Sequence, residues 1–207
     1  MSADAEDPGI VPAAHPARTA PLSLRFANTR YAVRGQARDG IGTPELLRDW
    51  LTRHAGELGL SGPPAVDADA DVVPFVELRD AIRELVADAM SDPGDERAAA
   101  GGGGADAVAL LNQLSAGGPS WPALVRSGRG LRVVWHTERT AQPAALTTLA
   151  QDAIAMLGGA VVGDLRACRA PGCVQIFVKD HPRREFCSTA CGNRARAARH
   201  YLRHRED

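Results

Sequence analysis

The feature that most constrains this sequence is the position of its four cysteines, which all lie in the last forty residues. They form two close pairs separated by thirteen residues. Two such pairs can fold two loops around one tetrahedral ion, and thiolates suit zinc. Four thiolates leave no open position for water, so a site of this kind is structural. The sequence therefore predicts one Zn²⁺ per chain, bound by Cys168, Cys173, Cys187 and Cys191.

Other uses of the cysteines stay open at this point. Two disulfides, a redox switch or an iron–sulfur cluster fit the same count, although a cytoplasmic chain is normally reduced. The nearby histidines His181, His200 and His204 are poor replacements for a cysteine ligand. Only eight residues separate Cys191 from His200, fewer than the roughly twelve in a finger with two Cys and two His ligands.

The charge is divided between two unlike parts of the chain. Residues 164–207 hold ten basic and five acidic residues, a net charge of +5, whereas the preceding 163 residues hold fourteen basic and twenty acidic ones, a net charge of −6. A basic end on an acidic body indicates a surface that binds polyanions. The alternative is a solvated helix in a protein that uses arginine throughout, since Lys179 is the only lysine.

The pattern after Ser188 predicts a helix with two different faces. One apolar arc, which we expect to pack on the body or on the zinc site, contains Ala197, Ala198, Tyr201 and Leu202. The opposite side offers guanidinium groups to DNA phosphates or guanine edges, at Arg196, Arg199 and Arg203. Arg183 and Arg184, which precede the second cysteine pair, are expected to contact the flanking DNA backbone.

The segment from Phe186 to Arg194 resembles the CGNR zinc finger, named for its Cys-Gly-Asn-Arg signature. The upstream cysteine pair, Phe177 and the Arg183–Arg184 doublet fit the same pattern. Phe186 stands where that family usually has Trp. Of the signature residues, Gly192 is expected to allow close backbone approach beside the metal and Asn193 to bond a neighbouring main chain. We expect Arg194 to be structural, bonding Asp180 or loop carbonyls.

In the CGNR family the finger follows an ABATE domain, and the preceding part of this chain is similar to that domain at scattered landmarks. An arginine, Arg25, stands where the family usually has an acidic residue. The resemblance implies a bacterial-type transcription regulator whose amino-terminal domain senses a small-molecule or protein signal. The landmarks are Leu24 to Thr29, Trp50–Leu51, Leu78–Arg79 and Leu111–Asn112.

The predicted fold class is mainly α with a small β-hairpin (an α+β body), followed by a small four-cysteine zinc finger with a C-terminal helix. We expect a disordered leader at 1–20, a regulatory domain at 21–158 that folds alone, and a linker with the finger at 159–207. Periodicity predicts a glycine-rich loop through Gly35, Gly40 and Gly42. It also leaves residues 22–26 as strand or helix, and predicts helices at 43–58, 74–90, 105–115 and 143–157 and a hairpin of strands at 121–126 and 131–137.

These observations favour a zinc-dependent DNA-binding transcription regulator. The alternative is a zinc-stabilised protein–protein interaction module without direct DNA binding; RNA binding and a homodimer also stay open. We expect no enzyme, because nothing in the sequence brings Ser120, His136 and Asp152 together as a triad. No apolar run approaches the roughly 18 residues of a membrane span, and residues 1–21 lack a signal-peptide core, so we expect a cytoplasmic protein.

Overall fold

A computed structural model describes residues 20–33, 35–60, 64–91, 103–117, 120–128, 130–137 and 140–203. Apart from Ala20, the predicted leader at 1–20 lies outside these ranges, as does His204. No helix in the described ranges is long and apolar enough to cross a membrane.

The described residues form seven α-helices, which confirms a mainly helical body. Six belong to the part before the finger, and a short 3₁₀ helix, Ala160–Asp164, leads from the body toward the first strand of the finger. The seven helices are α1 (Leu22–Ala27), α2 (Pro44–Arg53), α3 (Ala55–Leu58), α4 (Asp69–Met90), α5 (Gly103–Ser115), α6 (Ala141–Leu157) and α7 (Thr189–Arg203).

Within the described ranges, the strands pair as three separate antiparallel hairpins. The predicted central hairpin is confirmed, and the finger contains a short third one. The pairs are β1 (Arg30–Val33) with β2 (Gln36–Asp39), β3 (Ser120–Ser127) with β4 (Gly130–Thr137), and β5 (Leu165–Ala167) with β6 (Ile176–Val178). Together with the helices, they give the predicted combination of an α+β body and a small finger.

The core of the body surrounds α1, which settles residues 22–27 as helix. Leu24 and Phe26 are fully buried, and the ring of Phe26 lies 4.9 Å from that of Trp50. The amino-terminal end of α1 is capped from α6, because the amide of Ser23 donates to Asp152 Oδ2 at 2.7 Å. A six-residue helix has little stability of its own, so its burial between α4 and α6 holds it in place.

Helix α2 follows its sequence signals closely. Thr43 is the N-cap, accepting from the amide of Leu46 at 3.4 Å, and Pro44 occupies the first turn. Leu47, Trp50 and Leu51 are buried, whereas Leu46 is exposed. The predicted helix at 43–58 is broken at His54, after which α3 continues to Leu58.

Two other expectations about the body are wrong in detail. Around Gly35 the predicted loop is instead the β1–β2 hairpin, with Gly35 in the left-handed region at φ +80°, whereas Gly40 and Gly42 lie in a loop after β2 as predicted. Helix α4 begins at Asp69 rather than Pro74, and the Asp71 carboxylate accepts from the amides of Asp67 and Ala68 at its start. Pro74 therefore lies inside the helix, in its second turn, where it cannot donate a hydrogen bond to the carbonyl four residues earlier.

The core of the body extends into the finger. Leu165, Ile176 and Val178 of the β5–β6 hairpin are buried in the same apolar cluster as the residues of α1, α4 and α6. This sharing argues against a body that folds alone when the chain ends at Gly158, although the boundary between body and finger at 158–159 stays a prediction.

Polar contacts fasten the finger to the body beside this core. Asn28 Nδ2 donates to the carbonyl of Ile176 at 2.7 Å, and the amide of Ile176 donates to Asn28 Oδ1 at 2.9 Å. Gln175 Nε2 donates to the carbonyls of Asn28 and Arg30 at 3.0 and 2.9 Å. Arg83 donates to the carbonyls of Ala27 and Val174, each at 3.0 Å. These bonds set where the zinc site sits on the body.

Candidate metal centre and nucleic-acid interface

The four cysteines converge at the junction of β5, β6 and α7. Cys168 follows β5, and Cys173 closes a turn in which its amide donates to the carbonyl of Ala170 at 3.0 Å. Gly172 turns at φ +68° in that knuckle. Cys187 precedes α7 and Cys191 lies in its first turn, where the Cys191 amide donates to Ser188 Oγ at 3.3 Å.

The sulfur positions fit one tetrahedral ion. All four Sγ atoms lie within 4.8 Å of one another. Cys187 Sγ is 3.9 Å from Cys173 Sγ and 3.4 Å from Cys191 Sγ, and the Cys173–Cys191 distance is 3.8 Å. Tetrahedral Zn–S bonds of about 2.3 Å place sulfurs about 3.8 Å apart. All four cysteines are free rather than disulfide-bonded. The donor set and spacing therefore fit one structural zinc ion.

In the absence of a metal ion, the crowding of the sulfur atoms shifts the pKa values of three of these thiols. Burial, followed by hydrogen bonding to Cys191 and Cys168, raises the pKa of the Cys187 thiol far above its ordinary value. Burial also raises the pKa of Cys173. Burial raises the pKa of Cys191 as well, but hydrogen bonds led by Ser188 outweigh it, so this pKa is lowered. Zinc ligation requires deprotonation, so binding the ion releases protons.

The signature arginine contacts a metal ligand directly. Arg194 Nη2 donates to Cys191 Sγ at 3.3 Å, and its Nε is buried with no hydrogen-bond partner within the described residues. Four thiolates around Zn²⁺ carry a net charge of −2, which a neighbouring guanidinium offsets. A structural role for Arg194 stays a prediction. The expected bond to Asp180 or loop carbonyls is wrong, because a different arginine is bonded to Asp180.

That arginine is Arg184, which bonds groups on both sides of itself in the segment between β6 and α7. Its guanidinium donates to Asp180 Oδ2 and to the carbonyl of Cys187, each at 3.0 Å. It also lies over the ring of Phe177, 5.0 Å from the centroid. The bond from Arg184 keeps the pKa of Asp180 below its ordinary value. With its donors engaged in this way, we leave Arg184 out of the DNA contacts proposed below.

The remaining arginines predicted for DNA lie at the surface. Arg196, Arg199 and Arg203 are all exposed on α7, and Arg183 is exposed before it. An open groove of about 540 Å³ runs between Arg183 and Arg196, past the start of α7. The helix carries four arginines and no acidic residue. The structure thus brings the stripe and Arg183 onto adjoining surfaces.

Three details of α7 differ from expectation. Ala197 and Tyr201 are exposed and Ala198 is only half-buried, because the helix packs through its first turns, with Cys191 and Ala195 buried. Asn193 Oδ1 accepts from Arg196 rather than bonding a main chain.

Gly192 is not required for close backbone approach. A Cβ at this position would meet the Phe186 ring at 3.4 Å, an ordinary van der Waals distance. Phe186 packs on the cysteine cluster, which is the packing expected of the residue that replaces Trp.

The hairpin of the finger has two opposed faces. Phe177 points to the cysteine cluster, where it is buried with Cys168, Ala170 and Cys191, while its neighbours Ile176 and Val178 point into the core of the body. This is the alternation of a strand that is buried on both sides. One short strand therefore contributes buried side chains both to the core of the body and to the cysteine cluster.

Sequence reasoning missed the residues that join these parts. The contacts of Asn28, Gln175 and Arg184 go mainly to backbone carbonyls far along the chain or across a turn, and composition does not reveal such partners. The run Ile-Phe-Val at 176–178, flanked by cysteines, was the available signal for a buried strand. Of the rejected triad, Asp152 is engaged with the amide of Ser23.

Comparison with known families agrees with the two-part organisation. A family model named ABATE, with the description "Putative stress-induced transcription regulator", matches residues 20–160. A model named CGNR zinc finger matches residues 165–204. No curated protein matches the chain. The first match alone spans well over half of the sequence, and the second contains all four cysteines, so the chain belongs to the ABATE family and ends in a CGNR zinc finger with one structural zinc site.

Proposed function

We propose that this protein is a DNA-binding transcription regulator in which the zinc finger and its arginine-bearing helix contact duplex DNA. The observation that carries the proposal is the exposed stripe of Arg196, Arg199 and Arg203 on a helix without acidic residues. Burial does not explain these three side chains, and a row of exposed guanidinium groups is suited to phosphates and guanine edges.

The zinc site supports the proposal by fixing the start of this helix. Cys191 binds the ion from the first turn of α7, and the β5–β6 hairpin, which carries the first cysteine pair, is itself fastened to the body. A helix anchored in this way presents its arginines at a defined position, which lowers the entropic cost of binding. Arg183, across the groove from Arg196, would contact the neighbouring phosphate backbone.

The body supplies regulation in this proposal. A ligand or protein that binds the helical domain would act on DNA binding through the shared β5–β6 hairpin, because the body and the finger pack against opposite faces of it. We further propose that the protein works by binding alone, without catalysis, in the cytoplasm, with a homodimer as an open arrangement.

The test is a salt titration of duplex DNA binding. Wild type is compared with a triple variant, Arg196→Ala, Arg199→Ala and Arg203→Ala, with zinc content confirmed in both. If each arginine contacts one phosphate, the log–log salt slope should shrink by about 0.9 for each residue replaced. A duplex selected from random sequence by the intact zinc-loaded protein provides the ligand.

A matched control removes the same charge elsewhere. Arg38, Arg53 and Arg126 are exposed arginines of the body, so their triple alanine variant changes the net charge equally. We expect this control to bind with nearly the wild-type slope. If the stripe variant and the wild type bind equally, the stripe is only a solvated surface, and the protein-interaction alternative becomes the better account.

A further inference from the structure

A second basic surface lies on the finger, next to the groove that leads to Arg196. It is a partly enclosed pocket of about 150 Å³ beside the β5–β6 hairpin. Four cationic side chains, one acidic side chain and one aromatic ring line it: Arg166, Arg169, Lys179, Arg184, Glu185 and Phe177.

The cations of this pocket differ in how they are held. Arg184 is fixed over Phe177 and paired with Asp180. Arg166 Nη1 donates to the carbonyls of Gly163 and Leu165 at 2.8 and 2.7 Å, which also orients its guanidinium. Arg169 is exposed and Lys179 is half-buried beside them. The pocket thus combines two oriented guanidinium groups with two further cationic side chains.

The charge balance specifies the class of ligand. Among the lining residues that the structure describes, Glu185 is the only carboxylate, so these residues have an excess of three positive charges. A volume of about 150 Å³ accommodates one tetrahedral oxyanion. We propose that this pocket binds a phosphate group, held by Arg166, Arg169 and Lys179.

The position of the pocket favours a phosphate of the DNA backbone over a free ion. Arg184 and Glu185 line both this pocket and the groove that leads to Arg196. A duplex lying on α7 would therefore continue toward the pocket. This part of the inference rests on the proposed function, whereas binding of phosphate itself does not.

The chain offers a direct probe, because Lys179 is its only lysine. Acetylation by an amine-reactive ester, followed by mass spectrometry of the peptide, reads out this side chain alone, and the amino-terminal amine serves as the internal reference. Zinc-loaded protein is labelled in chloride, in inorganic phosphate at equal ionic strength, and with a bound duplex. A ligand at ten times its Kd should slow acetylation of Lys179 about elevenfold relative to the reference amine.

The three labelling conditions distinguish a phosphate of the DNA backbone from a free phosphate ion. They also test the pocket separately from the proposed DNA binding. Protection by phosphate and by duplex, or by duplex alone, supports a backbone phosphate in the pocket. Protection by phosphate alone, with no duplex binding, supports a site for a free phosphate ligand and counts against the proposed function. A duplex that binds without protecting Lys179, together with no protection by phosphate, overturns the pocket while leaving the proposed function intact.

Two substitutions test the lining with opposite expected signs. Arg169→Ala should weaken the protection of Lys179 by phosphate about two- to fivefold, the range for an exposed charge interaction, and Glu185→Gln should strengthen it by a similar factor. Arg53→Ala, on the body, is the control and should change nothing. If both pocket variants, with normal zinc content, leave the midpoint unchanged, the pocket does not hold the anion.

Discussion

The helical body and the zinc finger build their interiors from different material. The body buries a continuous apolar core drawn from its helices, whereas the cluster of the finger holds only Cys168, Ala170, Phe177 and Cys191 as buried side chains among the described residues. A core of that size cannot offset the entropy of ordering some forty residues. The finger therefore depends on the metal and on the body. Removing the metal or altering the contacts with the body should each show this dependence.

The largest effect is expected from removing the metal site. Cys187→Ser deletes one of four thiolates, so the protein should lose stoichiometric zinc and the helical signal of α7, while the helices of the body other than α1 stay folded. Binding of structural zinc contributes about 10–16 kcal/mol in isolated fingers. Zinc analysis and far-UV circular dichroism measure both effects.

Chelation of the wild type is the control for that substitution, because it removes the ion without changing a side chain. It should reproduce the same loss of helix. A variant that keeps α7 folded without zinc would show that packing alone supports the finger.

Substitutions at neighbouring residues of β6 should affect the core of the body and the cysteine cluster separately. Ile176→Ala removes a side chain from the core of the body and should destabilise the body by about 2–5 kcal/mol. Phe177→Ala, one residue later, should instead weaken zinc binding and loosen Arg184. Thermal unfolding and chelator competition, measured on both variants, give the two readouts.

The contrast between these two variants is the test. If both lower the melting temperature of the body equally and leave zinc affinity unchanged, the two faces of the hairpin do not serve different cores.

A smaller effect, on zinc affinity, is expected from substitution of Arg194. Arg194→Ala removes the donor to Cys191 Sγ and should lower zinc affinity about 10- to 100-fold, as is typical when a partner of a metal ligand is lost. Arg194→Lys should recover part of the loss by retaining the charge. Competition with a zinc chelator measures the affinities. Unchanged affinity in the alanine variant would make Arg194 a packing residue only.

The smallest effect concerns an ion pair within the body, remote from zinc. Arg79, only 2% exposed, donates to Asp39 Oδ1 at 2.6 Å. Burial raises the pKa of Asp39, but the bonds from Arg79 and the Ile41 amide outweigh it, so the pKa lies below its ordinary value of 3.8. A depressed carboxyl pKa adds stability above the unfolded value, and that contribution is lost as the pH falls through the folded value.

Asp39→Asn should therefore cost about 1 kcal/mol at neutral pH, a modest figure because Asp39 is 40% exposed and solvent screens the pair. Urea unfolding at pH 7 and pH 3 should show the difference between wild type and variant shrinking in acid. Zinc content should not change at pH 7. An equal difference at both pH values would contradict the assigned pKa shift.

The sequence was most informative where the relevant residues are close along the chain. The four zinc ligands follow from two short spacings, and the N-cap at Thr43 with Pro44 marks the start of α2. The sequence does not predict the β1–β2 hairpin, because Arg30 to Asp39 has no clear apolar alternation and the glycine at 35 is typical of a loop.

The rest depends on contacts between distant residues. Nothing in the local pattern indicates that Asn28 bonds Ile176, or that Val178 completes a core begun at Leu24. The role of Arg184 cannot be read from the sequence, because its partners are mainly backbone carbonyls. By sequence alone it resembles the surface arginines of the tail.

The central claim is that the zinc finger supports the body through the shared β5–β6 hairpin. Hydrogen exchange of the intact protein, with and without zinc, tests it most directly. Removal of zinc should speed exchange in α1 and in the strand β6, because Ile176 and Val178 pack on the core around α1, while α5, which the hairpin does not fasten, should change least. Unaltered exchange in α1 after complete loss of zinc would contradict the claim and make the finger an independent appendage.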